Sequence, residues 1–190
     1  MEVDDLIEKY RSPHSVPPVP ALDGLDAVDW AGMRDAYGPA TDVPALFRAF
    51  VSVDSEDREF AQQLLFQTIW HQGDVYSATA AAVPFLYNLL EDDGPHDRDG
   101  AAGLIAAIAD GQPPFVHCAD DPEQYAFWDN ILRPQGESLD ARIAEGRVVA
   151  AEVRRKLARR AELLRECCCG RLPAWVADAE PGAAADRGRM

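Results

Sequence analysis

The sequence lacks the features that mark a secreted or membrane protein. Only four of its 190 residues are cysteines, and Cys167, Cys168 and Cys169 are adjacent, so they cannot bridge one another without strain. No apolar run approaches the roughly 18 residues that a membrane-spanning helix needs. The acidic start Met1–Asp5 is the opposite of the basic region that opens a signal peptide. We therefore expect a cytoplasmic, single-domain protein with reduced thiols and no membrane partner.

Signature motifs of common enzyme classes are also missing. The sequence has no Gly-rich phosphate loop, no nucleotide-binding fingerprint and no serine in a nucleophile elbow. The residue types that bind metals are His71, His96, His117 and Cys118. Only the last two are close in sequence, and they are immediate neighbours rather than a spaced pair of the Cys-x-x-Cys kind. The sequence therefore predicts no catalytic residue, no cofactor and no metal.

Basic residues are scarce through most of the chain. Residues 1–140 contain 26 acidic and 7 basic residues, residues 141–190 contain 7 acidic and 11 basic ones, and the net charge is −15. Such an acidic body repels a phosphate backbone, which argues against nucleic acid as a partner. It attracts a basic protein and speeds the encounter at low salt. The alternative is that the acidity only maintains solubility. The basic stretch from Arg154 to Arg165 is interpreted as a solvated helix face, or as one that pairs with the acidic body.

Apolar residues recur at helical spacing in several segments. The first segment depends on Trp30, Met33 and Tyr37, with Gly38 placed to end the helix. Caps and first-turn prolines mark the starts of others. The predicted helices are 26–37, one opening at Asp42 with Pro44 in its first turn, one from about Ser55 to Gly73, one opening at Asp121-Pro122, and one spanning about 139–165.

The two ends of the chain differ from its middle. Residues 1–25 begin with a short amphipathic piece, Val3, Leu6, Ile7 and Tyr10. Four prolines fall within residues 13–20, which excludes regular structure there. We interpret residues 1–25 as an extended, proline-rich leader that lies on the domain or hangs off it. Residues 166–190 are expected to be disordered because their composition offers little to a core. The helical domain is therefore predicted to span residues 26–165.

The chain repeats itself at an interval of 40 residues. The aligned pairs are Val43-Pro44 with Val83-Pro84, Leu46 with Leu86, Asp57-Arg58 with Asp97-Arg98, Ala61 with Ala101, Leu64 with Leu104 and Leu65 with Ile105. Each copy predicts a helix opened near its proline, a short acidic turn and a second, antiparallel helix. The duplicated Asp-Arg pairs are expected to stabilise helix starts and to link neighbouring copies. Since one helix pair cannot bury its apolar faces alone, the pairs are expected to stack.

The matched residues resemble a HEAT repeat. The pattern from Leu46 to Leu65, with Asp54 at the turn and Arg58 opening the second helix, is similar to the two leucine-rich helices of that family. Over about residues 26–110 the chain also resembles a group of bacterial HEAT-repeat proteins of unassigned biochemistry. The resemblance implies an all-α fold, a short HEAT-like superhelix of stacked antiparallel helix pairs in the armadillo-like α-solenoid class. It also implies further repeats, and an uncapped last repeat would favour self-association.

One junction between predicted helices carries a cluster of polar side chains. The cluster comprises His71, Gln72, Asp74, Tyr76, Ser77 and Thr79, and all of these except Ser77 are taken as binding candidates. A histidine, a carboxylate and a hydroxyl this close can support binding or acid–base chemistry if the fold brings them into one cleft. The alternative is structural, with His71 complementing a helix dipole, Gly73 ending that helix, and Ser77 or Thr79 capping the next one.

Together these observations favour a non-enzymatic, helical-repeat module for protein–protein interaction with a basic partner. A specific form is an immunity-type protein that neutralises a basic toxin such as a nuclease. Two alternatives stay open. One is an enzyme or small-ligand binder that uses the turn between His71 and Thr79, and the other is a nucleic-acid-binding HEAT-like protein, which the charge disfavours.

Overall fold

Helices make up most of the structure, a computed structural model that describes residues 2–94 and 96–160. The α-helices are α1 (Val3–Tyr10), α2 (Val43–Phe50), α3 (Ser55–Thr68), α4 (Ser77–Glu91), α5 (Arg98–Asp110), α6 (Pro122–Leu132) and α7 (Leu139–Ala158). Two short strands, β1 (Trp70–His71) and β2 (Asp74–Val75), form a hairpin that was not predicted. The mostly helical fold is confirmed. None of the helices described here is long and apolar enough to cross a membrane.

Two helical hairpins form the centre of the molecule. Helix α2 packs on α3 and helix α4 packs on α5, and a short turn joins the members of each pair. The carboxylate of Asp54 starts α3 by accepting hydrogen bonds from the backbone N–H groups of Glu56 and Asp57. Phe47, Phe50 and Tyr87 are the largest fully buried side chains of the core that these helices share. The helix–turn–helix layout predicted for both copies of the repeat is therefore present.

The two copies differ in where the first helix begins. Pro44 lies in the first turn of α2, as predicted, whereas the aligned Pro84 lies inside α4. Helix α2 has 8 residues and α4 has 15, because α4 begins at Ser77, upstream of the position that corresponds to the start of α2. The prediction that the aligned proline opens the helix in both copies is wrong for the second copy. A cap formed by Thr79, described below, starts α4 earlier.

The arginines of the duplicated Asp-Arg pairs bond within their own helix pair rather than between copies. Arg58 donates a hydrogen bond to the carbonyl oxygen of Ser52 at 2.7 Å, and Arg98 donates one to the carbonyl oxygen of Leu90. Leu90 lies in the last turn of α4, where carbonyl groups lack helical partners and a cation is favourable, whereas Ser52 lies two residues beyond the end of α2. Among the described residues neither arginine bonds to the other copy, so the predicted ladder between neighbouring copies is wrong.

The segment 26–37 does not form the predicted α-helix. It contains two 3₁₀ turns, at Leu25–Ala27 and Trp30–Gly32, followed by a bridge between Arg34 and Pro39. The carboxylate of Asp35 accepts hydrogen bonds from the N–H groups of Tyr37 and Gly38, so a local turn competes with the helix. The turn is also tied to neighbours: the backbone N–H of Ala36 donates to the carbonyl oxygen of Thr68 at 3.0 Å.

The N-terminal residues contribute to the main core. Helix α1 packs on α2 and buries Leu6, Ile7 and Tyr10. Ala21 and Leu25 are also buried, and the residues between the prolines pack against the same core. The segment predicted as a leader thus begins with a docked helix and continues as an irregular strap on the domain.

The C-terminal helices begin where the sequence predicts. The carboxylate of Asp121 accepts hydrogen bonds from two N–H groups of the first turn of α6, and Ser138 caps α7 through the N–H of Ala141. Helix α7 packs on α4 and α5, and Tyr87 of α4 donates a hydrogen bond to the carbonyl oxygen of Leu157 at 2.9 Å. The last helix ends at Ala158 rather than near residue 165. Residues 161–190, which include the predicted tail and three of the cysteines, lie outside the described part of the chain.

Candidate binding site at the hairpin and the adjoining groove

The predicted junction is a tight β-hairpin. His71 pairs with Asp74 and Trp70 with Val75, and the turn residues Gln72 and Gly73 have φ angles of 53° and 97°. Two successive residues with positive φ form the type I′ turn that joins short antiparallel strands. The prediction that Gly73 ends the preceding helix is therefore wrong. Helix α3 already ends at Thr68, and Gly73 serves the hairpin instead.

The loop after α5 holds the hairpin in place. The backbone N–H of Gln112 donates to the carbonyl oxygen of Gly73 at 2.8 Å, and the N–H of Val75 donates to the carbonyl oxygen of Gln112 at 3.0 Å. Gly111 permits this approach, since a Cβ atom there would lie 2.5 Å from Cγ1 of Val75. Two backbone hydrogen bonds thus tie the hairpin to this loop.

Thr79 is a structural residue. Its side chain is fully buried, and its hydroxyl oxygen accepts the N–H of Tyr76 at 2.7 Å while donating to the carbonyl oxygen of Ile69. This bond caps α4 and ties it to the end of α3, as the structural alternative predicts. Ser77 makes a similar tie, because its hydroxyl accepts the N–H of Arg34 at 2.8 Å. Neither hydroxyl is left free for a ligand, so Thr79 drops out as a contact residue.

The other predicted residues share one neighbourhood. The rings of Tyr37 and His71 meet edge to face with centroids 5.6 Å apart. Burial raises the pKa of the Asp74 carboxyl, while the nearby His117 and His71 oppose that rise. Burial and then the charge of Asp74 raise the pKa of Tyr76 to about 12. At neutral pH the phenol of Tyr76 therefore keeps its proton and can donate a hydrogen bond but not act as a base.

Gln72 differs from its neighbours in having an exposed side chain. It occupies the first turn position of the hairpin, where a positive φ is required and only a few residue types adopt it readily. Its placement is explained by the turn, and its amide is accessible at the tip.

The candidate metal ligands do not converge. His96 is buried elsewhere, with Nε2 bonded at 2.6 Å to the carbonyl oxygen of Leu89, while Nε2 of His117 lies 3.5 Å from the sulfur of Cys118. Burial raises the pKa of the Cys118 thiol, which keeps it protonated and a poor ligand. Within residues 2–94 and 96–160 no group of three or more His, Cys, Asp or Glu side chains is arranged to hold a metal ion.

A groove that sequence reasoning missed lies beside Tyr37. We call it the acidic groove; it has a volume of about 340 Å³ and is formed by α1, the turn 35–42, α2 and α3. The lining residues are Val3, Ile7, Asp35, Tyr37, Pro39, Asp42, Leu46, Leu64, Gln67 and Thr68. Tyr37 borders both the groove and His71, so the two regions adjoin. Nothing in the sequence marks Asp35 as a candidate binding residue, apart from its position just before Tyr37 and Gly38.

Comparison of this chain with protein-family models, with curated proteins and with solved structures finds no match in any of the three. The resemblance to HEAT repeats therefore remains a prediction based on the residues quoted above.

Proposed function

We propose that this protein is a non-enzymatic, HEAT-like helical module that binds a basic protein partner through its acidic surface. The two helical hairpins supply the unit from which such arrays stack, with α7 packed against the second hairpin. Stacked helix pairs present extended surfaces to partners.

The observation that carries the proposal is the excess of acidic over basic side chains at the surface. Residues 2–94 and 96–160 contain 28 acidic and 14 basic residues. Arg48 is buried against Asp26 and the carbonyl oxygens of Tyr10 and Arg11. Arg58 and Arg98 each donate a hydrogen bond to a backbone carbonyl oxygen. Since acidic side chains outnumber basic ones two to one and Arg48 is withdrawn from the surface, the surface carries a net negative charge.

A surface of this kind favours a basic partner for a simple electrostatic reason. Exposed carboxylates without local counter-charges add to a negative potential that attracts cations, and salt screens that attraction within about 10 Å at 0.1 M. Binding to a basic protein would therefore be fast at low salt and would weaken as salt is added. A phosphate backbone would be repelled by the same field.

The specific form that we propose is an immunity-type protein that neutralises a basic toxin, such as a nuclease. The experiment is affinity capture from cells of the source organism at low salt, followed by elution with a salt gradient. A basic protein that elutes with salt, and whose toxicity on expression is suppressed by this chain, supports the proposal. If no salt-sensitive basic partner is captured, the proposal fails.

A second candidate, small-ligand binding or catalysis at the hairpin, is favoured by one observation. His71, Asp74 and Tyr76 share a half-buried neighbourhood with His117, which the sequence separates from them by about forty residues. Replacing His71 with Ala and Asp74 with Asn separates the two candidates. A folded double variant that loses an activity supports a site, whereas lowered stability with partner binding intact supports a structural hairpin.

A further inference from the structure

The acidic groove combines an apolar floor with carboxylates at its edge. Ile7, Leu46 and Leu64 are buried beneath it, and Val3 leaves 45% of its surface exposed at its rim. Tyr37, with 67% of its surface exposed, stands at the side. An exposed aromatic ring beside exposed aliphatic surface is costly to leave in water and is typical of a contact surface.

Asp35 is the unusual member of the groove. It is only 7% exposed, and its Oδ1 atom accepts the N–H groups of Tyr37 at 2.8 Å and Gly38 at 3.0 Å. Its Oδ2 atom has no hydrogen-bond partner among the residues that the structure describes. Burial raises the pKa of the Asp35 carboxyl; the hydrogen bonds from Tyr37 and Gly38 and the charge of Arg34 oppose that rise, and the charge of Asp42 adds to it. A largely buried carboxylate that forms no ion pair is a costly arrangement, which a cation bound against it would relieve.

Asp42 likewise forms no ion pair in the described part of the chain. It precedes α2, but its side chain makes no capping hydrogen bond. Within residues 2–94 and 96–160, no lysine, arginine or histidine forms an ion pair with Asp35 or Asp42. This contrasts with Asp26 and Asp57, whose carboxylates are each paired with a cation of the same chain.

We infer that the acidic groove receives an arginine side chain of the basic partner. The aliphatic part of that side chain would lie on Val3, Leu46 and Leu64, and its guanidinium would reach the carboxylates of Asp35 and Asp42. An arginine fits this chemistry better than a lysine, because its planar fork can serve two carboxylates while its face stacks on the ring of Tyr37. The inference rests on the proposed function and adds the place of contact.

The test uses fluorescence anisotropy with two labelled probes, an oligo-arginine peptide and an oligo-lysine peptide of equal length. The main variant is D35N/D42N. The matched control is D120N/E123Q, which removes two exposed negative charges near the start of α6 and therefore changes the net charge equally. We expect D35N/D42N to weaken oligo-arginine binding by roughly tenfold or more, the control to weaken it by about twofold, and the wild type to prefer the arginine probe.

A second pair of variants leaves the Asp35 turn untouched. V3K places an ammonium group of the chain itself at the rim of the groove, and S12K adds the same charge at an exposed position away from it. We expect V3K to weaken oligo-arginine binding by several-fold more than S12K, because an internal cation competes with the probe. Circular dichroism melts of all four variants report whether each is folded.

The outcomes separate this inference from the proposed function. If both double variants weaken binding equally and V3K behaves like S12K, the groove is not the contact, although a basic partner is still bound. If the wild type binds neither peptide in a salt-sensitive way, the proposed function itself fails. Selective loss in D35N/D42N and in V3K, with both controls near the wild type, supports the groove.

Discussion

The ammonium nitrogen of Lys9 lies 2.5 Å from Oδ2 of Asp57, across 48 residues of sequence. Asp57 is only 4% exposed at its side chain, and the hydroxyl of Tyr10 also donates to the same oxygen. Two hydrogen bonds therefore join the end of α1 to the first turn of α3. Because α1 forms one wall of the acidic groove, these two hydrogen bonds help to position that wall.

The Asp57 junction predicts an acid-sensitive contribution to stability. Burial alone raises the pKa of the Asp57 carboxyl, but the hydrogen bonds from Lys9 and Tyr10 outweigh it and hold the pKa below its ordinary value of 3.8. A carboxyl whose pKa is lowered by folding stabilises the fold above its ordinary value, and that stabilisation is lost as the pH falls through the folded pKa. D57N should therefore lower the free energy of unfolding by about 1–3 kcal/mol at pH 7.

Urea unfolding at pH 7 and at pH values below 4 measures this effect. The difference between wild type and D57N should shrink at the acidic end, because the wild-type carboxyl is then protonated. E59Q, which changes an exposed glutamate on the same helix, serves as the control and should stay close to the wild type. A difference that persists unchanged at low pH would contradict the assigned role.

Gly146 predicts a packing effect between α7 and the loop before α6. A Cβ atom at Gly146 would lie 2.7 Å from Cγ2 of Val116 and 3.1 Å from Cβ of Pro113. G146A should therefore destabilise the fold by about 1–3 kcal/mol through overpacking, despite the better helix propensity of alanine. G103A is the matched control, because a Cβ there meets only Phe66 at 3.9 Å; it should stabilise α5 by up to about 1 kcal/mol. Equal effects in the two variants would refute this explanation.

The conformation of the hairpin turn predicts that replacing glutamine with asparagine stabilises the protein at position 72 and destabilises it at position 63. Gln72 has a φ of 53° and precedes Gly73, and asparagine adopts this conformation more readily than glutamine. Q72N should raise the free energy of unfolding by about 0.5 kcal/mol. The same change at exposed Gln63 within α3 should lower it slightly, because asparagine is the poorer helix former. Thermal melts of the two variants show whether each change raises or lowers stability. A loss of stability in Q72N would contradict the positive φ assigned to Gln72 in the turn.

Thr79 predicts the stability cost of removing a buried cap. T79V keeps the shape of the side chain but leaves the N–H of Tyr76 and the carbonyl oxygen of Ile69 without their partner. The expected loss in the free energy of unfolding is about 1–3 kcal/mol. T41V, at an exposed threonine, should change it by less than about 0.5 kcal/mol. Chemical unfolding checks this prediction, and similar stability of both variants would rule out a capping role.

Part of the candidate site could be predicted from neighbouring residues in the sequence, and part could not. The cap by Thr79 could be predicted, because its hydroxyl and the N–H of Tyr76 that donates to it lie within one turn of the chain. The hairpin could not, since a two-residue strand carries too little hydrophobic pattern and two of the hydrogen bonds that hold the hairpin come from Gln112 in a distant loop. Asp35 was missed for the same reason: its significance comes from α1, α2 and α3 closing around it.

The segment 26–37 shows where tertiary contacts override a helical pattern. Trp30, Met33 and Tyr37 have helical spacing, but the chain around Arg34 pairs with the start of α4 through the hydroxyl of Ser77 and the N–H of Ala78. Those partners are over forty residues away, and no window of the sequence contains both sides of the contact. Helix propensity is weak enough for such contacts to decide the outcome.

By itself, the sequence determined the predominance of helices, the helix–turn–helix layout at an interval of 40 residues, the starts of the capped helices and the excess of negative charge. Those features depend on the residue itself and on neighbours within about four positions. Only the tertiary structure decided where Pro84 falls in its helix, how α1 docks on Asp57 and which carboxylates remain without a cation. Such features depend on distances between residues far apart in the chain, which folding alone brings together.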